Sequence, residues 1–142
     1  MDVDLVRAKE DSIVRCVQRI RTKSGLTFEV ITEDYDAQDV IVLNLERAVQ
    51  QAVDIATHIL ADSVLPVPER MREAFSGLQE MGVLSPSTAE RMAMAVGFRN
   101  TAVHAYQAID WAIVYSIVTE RLCDFEQFIK EVDAYLGRTG RG

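Results

Sequence analysis

Apolar residues recur every three or four positions along almost the whole chain, and this spacing constrains the fold more than any other feature. Such spacing places apolar side chains on one side of an α-helix. Prolines and glycines interrupt the pattern at a few points, among them Gly25, Pro66, Pro68, Gly82 and Gly137. The sequence therefore predicts an all-α protein, a bundle of about five helices without a sheet.

The first predicted helix lies upstream of Gly25, with Asp2 or Asp4 as its N-cap. Residues 26–36 are expected to form a connector. They have some strand propensity, but one short isolated strand has nothing to pair with. The first helix should therefore be followed by a loop rather than by a sheet.

The remaining helix boundaries are also predicted from glycine, proline and capping residues. A second helix is predicted from about residue 37 to 62, and a third from 71 to about 82. Ser85 followed by Pro86 predicts the start of the fourth, since proline is favourable in a first helical turn. Residues 109–136 contain neither glycine nor proline, which predicts one long final helix of around 30 residues.

The chain has 142 residues, which suits one domain. We assign residues 1–136 to this domain and residues 137–142 to a flexible C-terminal tail. No run of about 18 apolar residues exists, and the first residues are acidic, so the protein is expected to be cytoplasmic with no membrane association. Cys16 and Cys123 lie within apolar-periodic stretches and are expected to be reduced and buried.

The net charge of −7 argues against a general nucleic-acid binder, which would carry a broad basic surface. Residues 7–23 depart from this average, with six basic side chains against two acidic ones. The favoured interpretation is a solvated helix face with cations near the helix C-terminus. The alternative is a local patch that faces phosphate.

Only residues 97–106 combine several reactive side-chain types, namely those of Arg99, Asn100, His104 and Tyr106. Arginine offers a fixed charge and a planar fork that binds phosphate oxygens in two places. Histidine transfers protons near neutral pH. An amide and a phenol can orient these groups and donate hydrogen bonds to a charged transition state. This stretch is therefore the candidate site for phosphoryl chemistry.

Spacing limits how these residues can meet. Residues five apart on a straight helix lie about 140° apart around its axis. Arg99, His104 and Tyr106 therefore need either a turn, for which Gly97 and the helix junction are candidates, or a second copy of the chain. The alternative without chemistry makes Arg99 a helix cap, His104 a junction residue and Tyr106 part of the core.

The Arg-x4-His-x-Tyr stretch from Arg99 to Tyr106 resembles the signature motif of HepT proteins, a family within the HEPN group. The surrounding helices are similar too, over about residues 3–134. The resemblance implies a helical homodimer with the motif near its two-fold axis. It also implies the toxin of a prokaryotic toxin–antitoxin pair, a metal-independent endoribonuclease. The partner would be an MntA-like nucleotidyltransferase antitoxin that transfers AMP from ATP onto Tyr106.

The same resemblance gives roles to the motif residues. His104 would act as general acid or base, Arg99 would neutralise the phosphorane oxygens, and Asn100 would orient His104 or the phosphate. Tyr106 would bind RNA and carry the AMP. The products would be a 2′,3′-cyclic phosphate and a 5′-hydroxyl, with no cofactor. Ala105 stands where relatives often have an acidic residue or glycine, so we expect a changed level of activity rather than loss of activity.

Other candidates are weaker. Asp54 and His58, four apart on the second helix, are expected to form a surface or supporting pair rather than a metal site. Trp111, Tyr115 and Phe125 are expected in the core or a dimer interface rather than stacked on bases.

Two further functions stay open at the level of sequence. One is a non-catalytic nucleotide-binding or regulatory partner of a minimal nucleotidyltransferase, which the acidic charge favours. The other is a purely structural dimerisation domain.

Overall fold

The computed structural model describes residues 1–23, 25 and 27–140, and within these ranges the chain is helical with no β-strand. Its α-helices are α1 (Val3–Arg21), α2 (Phe28–Glu33), α3 (Tyr35–Ala61), α4 (Met71–Glu80), α5 (Pro86–His104), α6 (Trp111–Ser116) and α7 (Cys123–Arg138). A 3₁₀ turn, Tyr106–Ala108, joins α5 to α6, and a π-helical segment, Ile117–Arg121, joins α6 to α7. The all-α prediction is confirmed.

The predicted caps lie where the sequence placed them. The Asp2 carboxylate accepts a hydrogen bond from the Leu5 backbone N–H at 3.0 Å and begins α1. The Ser85 hydroxyl accepts one from the Thr88 N–H at 3.2 Å, and Pro86 opens α5. These bonds satisfy backbone donors that have no partner inside a helix.

Two connections differ from the prediction. The expected connector contains a short helix, α2, whose N-cap Thr27 accepts a hydrogen bond from the Val30 N–H at 3.2 Å. Leu26, its first residue, lies outside the described residues. The expected single final helix is divided by the π-helical segment, which no glycine or proline in the sequence signals.

The end of the chain also differs from the expected boundary. The helix α7 continues through Gly137 and Arg138, past the predicted start of the tail. Residues 141 and 142 of that tail lie outside the described residues.

The helix α3 is the centre of the bundle, with fourteen buried residues, and it contacts α1, α2, α4, α5 and α7. Gly77 of α4 lets that helix approach closely, because a Cβ there would lie 2.8 Å from a methyl carbon of Leu60. The largest fully buried side chains come from several helices and include Phe75, Phe128, Ile13, Ile41, Ile55 and Met92. No helix among the described residues is long and apolar enough to cross a membrane.

The basic residues of α1 are not simply a solvated face. Arg7 forms an ion pair with Asp133, Lys9 with Asp54, and Arg21 with Glu126. These three cations therefore link α1 to α3 and α7, and they are not free to face phosphate. The prediction for cysteines is half right: Cys16 is buried, whereas Cys123 is exposed, and both are free thiols.

Candidate active site

The helix α5 continues through Gly97 and ends at His104, so of the two candidate places for a turn the chain uses the helix junction and not Gly97. Ala105 leaves the helical conformation, with φ −149° and ψ 58°, although its N–H still donates to the Thr101 carbonyl at 2.8 Å. Tyr106 then begins the 3₁₀ turn. The motif therefore spans a helix C-terminus: Arg99 and Asn100 precede it, His104 is its last residue, and Tyr106 follows.

Arg99 is half-buried and contacts α3. Its Nη2 donates to Oε1 of Gln50 at 3.3 Å, and its Nη1 donates to Oδ1 of Asn100 at 3.3 Å. Its Nε is buried and has no hydrogen-bond partner among the described residues. Asn100 therefore contacts the guanidinium of Arg99 in this structure.

The contacts that support Arg99 extend along α3 and from there to α1. Nε2 of Gln50 donates to Oδ1 of Asp54 at 2.9 Å, and Nζ of Lys9 lies 3.3 Å from the other carboxylate oxygen. The expected pairing of Asp54 with His58 is wrong, because Nε2 of His58 accepts a hydrogen bond from the Asp2 backbone N–H at 3.0 Å. Spacing on α3 allowed that pair, but partners from α1 bind each side chain separately.

His104 is exposed to solvent at the end of α5. It is not part of the core, and as the last residue of α5 it lies at the helix junction. Because α5 is continuous, His104 lies about 140° around the helix axis from Arg99. One copy of the chain therefore presents its guanidinium and its imidazole on different sides of the same helix.

Tyr106 is 40% exposed, so it is not a core residue either. Its ring packs edge-on against Trp111 with centroids 6.2 Å apart, and its hydroxyl donates to Oδ1 of Asp39 at 3.3 Å. Partial burial, the charge and hydrogen bond of Asp39, and the charge of Glu46 raise the pKa of Tyr106. The hydroxyl is therefore protonated at neutral pH and accessible from solvent.

The aromatic residues of the last helices divide between surface and core. Phe125 is buried, as expected, whereas Trp111 and Tyr115 are half-buried. Ile113, part of the apolar pattern, is 53% exposed. The π-helical segment changes which residues of α6 and α7 share one face.

Sequence reasoning missed the contribution of α3 to the site. Asp39, Glu46 and Gln50 lie seven and four residues apart, so they share one face of α3 beside the end of α5. Their spacing was the only signal in the sequence. Three polar residues at helical intervals on a largely apolar helix do not show which neighbour they contact.

A groove of about 810 Å³ is lined by residues of α3, α4 and α5 and of the helices that follow α5. Met94, Phe98 and Thr101 line it from α5, and Ile113 lines it from α6. Met94 is 65% exposed. Exposed apolar surface of this kind is typical of protein–protein contacts.

Among the described residues, no three His, Cys, Asp or Glu side chains are grouped so that they could hold a metal ion. The polar groups of the site are one guanidinium, one imidazole, one phenol and the side chains of α3 that contact them.

Comparisons with known proteins give a consistent result. The family model described as "Ribonuclease HepT-like" matches residues 13–132. The mRNA nuclease HepT of Shewanella oneidensis is 34% identical over 92% of this chain and 98% of its own length. The tRNA nuclease HepT of Aphanizomenon flos-aquae is 24% identical over 93% of this chain and 90% of its own length.

A solved structure supports the same likeness. It is described as the tri-AMPylated Shewanella oneidensis HEPN toxin in complex with MNT antitoxin. It matches with a TM-score of 0.87 at 34% identity, covering 94% of this chain and 99% of that one.

Proposed function

The chain belongs to the HepT-like ribonuclease family, and on that premise we propose that it is the toxin of a prokaryotic toxin–antitoxin pair, an endoribonuclease acting in the cytoplasm. Its substrate is RNA, as the names of the Shewanella and Aphanizomenon relatives state for those proteins. The observation that carries the proposal is the exposure of His104 at the end of α5, with Arg99 held on the same helix by α3.

The reaction needs no nucleophile from the protein, because RNA supplies its own 2′-hydroxyl. The 2′-oxygen attacks phosphorus and gives its proton to a base, while the bond from phosphorus to the 5′-oxygen breaks and that oxygen takes a proton from an acid. The products are a 2′,3′-cyclic phosphate and a 5′-hydroxyl. In this scheme His104 transfers protons, and Arg99 stabilises the charged phosphorane without a metal ion.

Two copies of the chain complete the site. The reaction uses a base and an acid, but the sequence has only two histidines, and the backbone of Asp2 already binds Nε2 of His58. A homodimer supplies two His104 imidazoles, one to accept a proton and one to donate it. It also lets the Arg99 of one copy face the His104 of the other, which a single continuous α5 prevents.

Neutralisation takes place at Tyr106. Its hydroxyl is accessible, and the partner that modifies it is an MntA-like nucleotidyltransferase antitoxin; an MNT antitoxin accompanies the AMPylated Shewanella toxin. Transfer of AMP forms a bond from the Tyr106 oxygen to the α-phosphorus of ATP and releases pyrophosphate. The adduct adds bulk and negative charge beside the site, and it excludes the RNA phosphate by sterics and repulsion.

The first experiment measures cleavage of single-stranded RNA in EDTA by the wild type and by the His104→Ala and Arg99→Ala variants. We expect cleavage by the wild type with 2′,3′-cyclic phosphate ends, no cleavage by His104→Ala, and cleavage lowered by about 10²–10³-fold in Arg99→Ala. His58→Gln is the matched control, because it replaces the other histidine and should retain activity. A wild type that binds a nucleotide but cuts no RNA would support the non-catalytic alternative.

A second experiment tests the homodimer. Wild-type chains and inactive His104→Ala chains are mixed, unfolded together and refolded, so that mixed dimers form. If the site needs the imidazoles of both copies, the mixed dimers cleave no RNA, and activity falls with the square of the wild-type fraction. Activity that falls only in proportion to the wild-type fraction, in a mixture shown to contain mixed dimers, means that each copy works alone.

A third experiment tests the modification. The chain is co-expressed with its nucleotidyltransferase partner, and its intact mass is compared with that of the Tyr106→Phe variant. We expect a gain in multiples of one AMP unit that maps to Tyr106 and is absent from the variant. Modification at another residue would overturn this assignment.

A further inference from the structure

Four polar side chains form a continuous chain of contacts from α1 through α3 to α5. Lys9 lies beside Asp54, Asp54 accepts a hydrogen bond from the amide of Gln50, and Gln50 accepts one from the guanidinium of Arg99. The N–O distances are 3.3, 2.9 and 3.3 Å in that order. These residues, called here the Lys9–Arg99 chain, come from three helices that are far apart in sequence.

We propose that Gln50 is a positioning residue that fixes the guanidinium of Arg99 for phosphate, and that Asp54 and Lys9 fix Gln50. The inference rests on the proposed function, because it assumes that Arg99 binds the scissile phosphate. It adds a part of the site that lies outside the Arg-x4-His-x-Tyr motif.

The geometry explains why Arg99 needs this support. An arginine side chain has several rotatable bonds, and holding it in one position removes a large conformational entropy. Arg99 has five N–H donors in its planar fork, and among the described residues two of them have a partner, one in Gln50 and one in Asn100. Each terminal nitrogen therefore keeps one further N–H, and two guanidinium N–H groups can bind a phosphate in two places.

The choice of an amide at position 50 matters for charge. A carboxylate there would hold the guanidinium and also neutralise it. The Gln50 amide holds it without neutralising it, and the carboxylate of Asp54 lies one residue further along the chain of contacts, beside Lys9. Two cations and one anion leave a net charge of +1 in a protein whose overall charge is −7. The guanidinium of Arg99 therefore keeps its positive charge, although the carboxylates of Asp39 and Glu46 lie on the same face of α3 as Gln50.

The buried Nε of Arg99 supports the same conclusion. A buried N–H without a partner is costly, so the side chain would not adopt this position for its own stability. The contacts of Gln50 and Asn100 keep it there.

The experiment compares Gln50→Met with Gln51→Met. Methionine matches the size of glutamine without its hydrogen bonds. Gln51 is the matched control, because it is the next residue on α3, it is also half-buried, and Lys9 contacts its Oε1 at 3.4 Å, but it does not contact Arg99. We expect kcat for RNA cleavage to fall by about tenfold to a hundredfold in Gln50→Met. In Gln51→Met it should stay at the wild-type value.

A double variant separates positioning from a general effect on the fold. If Gln50 acts through Arg99, then Gln50→Met adds no further loss in the Arg99→Ala background. The inference is overturned if Gln50→Met lowers kcat equally in the wild-type and Arg99→Ala backgrounds. It is also overturned if the two methionine variants lower kcat equally, or if kcat is unchanged in Gln50→Met. If Arg99→Ala itself cleaves RNA like the wild type, the proposed function fails instead, so the two failures are distinguishable.

Gln50→Glu keeps the test informative if the methionine variant does not fold, since its side chain has the same length and can still accept from Arg99. We expect its KM for RNA to rise by about tenfold, because a carboxylate neutralises the guanidinium. The rise should be smaller in the Arg99→Ala background. An unchanged KM would overturn the charge argument.

Discussion

Two polar clusters lie on opposite sides of α1, and one has an excess of carboxylates whereas the other has an excess of cations. The acidic cluster contains Arg7, Glu10 and Asp133, and it joins α1 to α7. The Lys9–Arg99 chain joins α1 to α3 and α5. Arg7 and Lys9 are only two residues apart, so helix geometry places them on nearly opposite sides of α1.

The acidic cluster has two carboxylates and one guanidinium. Burial of Glu10 and the neighbouring Asp133 carboxylate raise the pKa of Glu10 to about 8, although Arg7 acts in the opposite direction. Oε2 of Glu10 is buried and has no hydrogen-bond partner among the described residues. The cluster therefore avoids excess negative charge by keeping one carboxyl protonated.

The Lys9–Arg99 chain has the opposite excess, with two cations and one carboxylate. The acidic cluster removes its surplus charge with a proton, whereas the chain keeps its surplus and ends at the motif. The proposed function predicts that the first cluster serves stability and that the second serves binding of an anion. Three predictions test this division, and a fourth concerns Tyr106.

The largest difference between two variants is expected when Arg99 and Arg7 are each replaced by alanine, one at a time. Arg99→Ala should lower kcat for RNA cleavage by about 10²–10³-fold, because it removes a donor from the charged transition state. Arg7→Ala should leave kcat unchanged but lower the free energy of unfolding by about 1–2 kcal/mol, since its pairs are partly exposed. Steady-state kinetics and urea unfolding of both variants measure this. Loss of RNA cleavage in Arg7→Ala would contradict the assignment of the acidic cluster to stability alone.

The next effect concerns pH and stability. Because the folded protein holds a proton on Glu10 that the unfolded chain releases, stability is full below the ordinary glutamate pKa of 4.5 and decreases as the pH rises to about 8. The slope is at most about 1.4 kcal/mol per pH unit, and about 2–3 kcal/mol should be lost in total once screening at the partly exposed partners is allowed for.

Glu10→Gln should remove most of this dependence, because its amide mimics the protonated acid. Urea unfolding at several pH values measures it. Glu126→Gln is the control, since that carboxylate pairs with Arg21 at the surface and its pKa is lowered, so its contribution is lost in acid instead. A wild type whose stability is constant from about pH 5 to about pH 8 would contradict the assignment of the proton.

A smaller effect is expected at the outer end of the Lys9–Arg99 chain. Lys9→Met should lower kcat by about fivefold, which corresponds to about 1 kcal/mol, because Lys9 acts on Arg99 only through Asp54 and Gln50. Arg15→Met removes the same charge from an exposed position on α1 and should leave kcat unchanged. Equal losses in the two variants would mean that total charge matters and the chain of contacts does not.

The smallest effect concerns Asp39, a carboxylate of α3 that belongs to neither cluster. Asp39→Asn removes a negative charge beside the Tyr106 hydroxyl, so the pKa of Tyr106 should fall towards the ordinary phenol value. NMR titration of labelled tyrosines, assigned with Tyr106→Phe, measures this. Asp36→Asn on the same helix should leave the pKa of Tyr106 unchanged. No shift in Asp39→Asn would show that burial and the charge of Glu46 raise the pKa of Tyr106 without a contribution from Asp39.

Several elements could be predicted because their signals are local. Apolar spacing gave α1, α3 and α4 to within a few residues, and Asp2 and Ser85 are the caps that the sequence indicated. The motif from Arg99 to Tyr106 indicated the family, which the comparisons confirm.

The differences have separate causes. Of the two candidate positions for a turn, Gly97 stays helical, because glycine costs a helix only about 1 kcal/mol and the buried residues Val96 and Ala102 lie on both sides of it. The chain turns at the other position, the helix junction. No glycine or proline signals the π-helical segment, whereas the helix in the connector has a local cap, Thr27, that the sequence reasoning did not use.

The sequence by itself determined the helices, their caps and the reactive residues, because helical hydrogen bonds and capping join residues at most a few positions apart. Only the tertiary structure decided that Gln50 holds Arg99, that Asp39 binds Tyr106, and that Asp54 pairs with Lys9 instead of His58. These partners are between 45 and 67 positions apart. They meet because apolar faces elsewhere on the same helices pack together. The free energy of that packing depends on the apolar area buried, so the sequence near each polar residue does not show which partner it will contact.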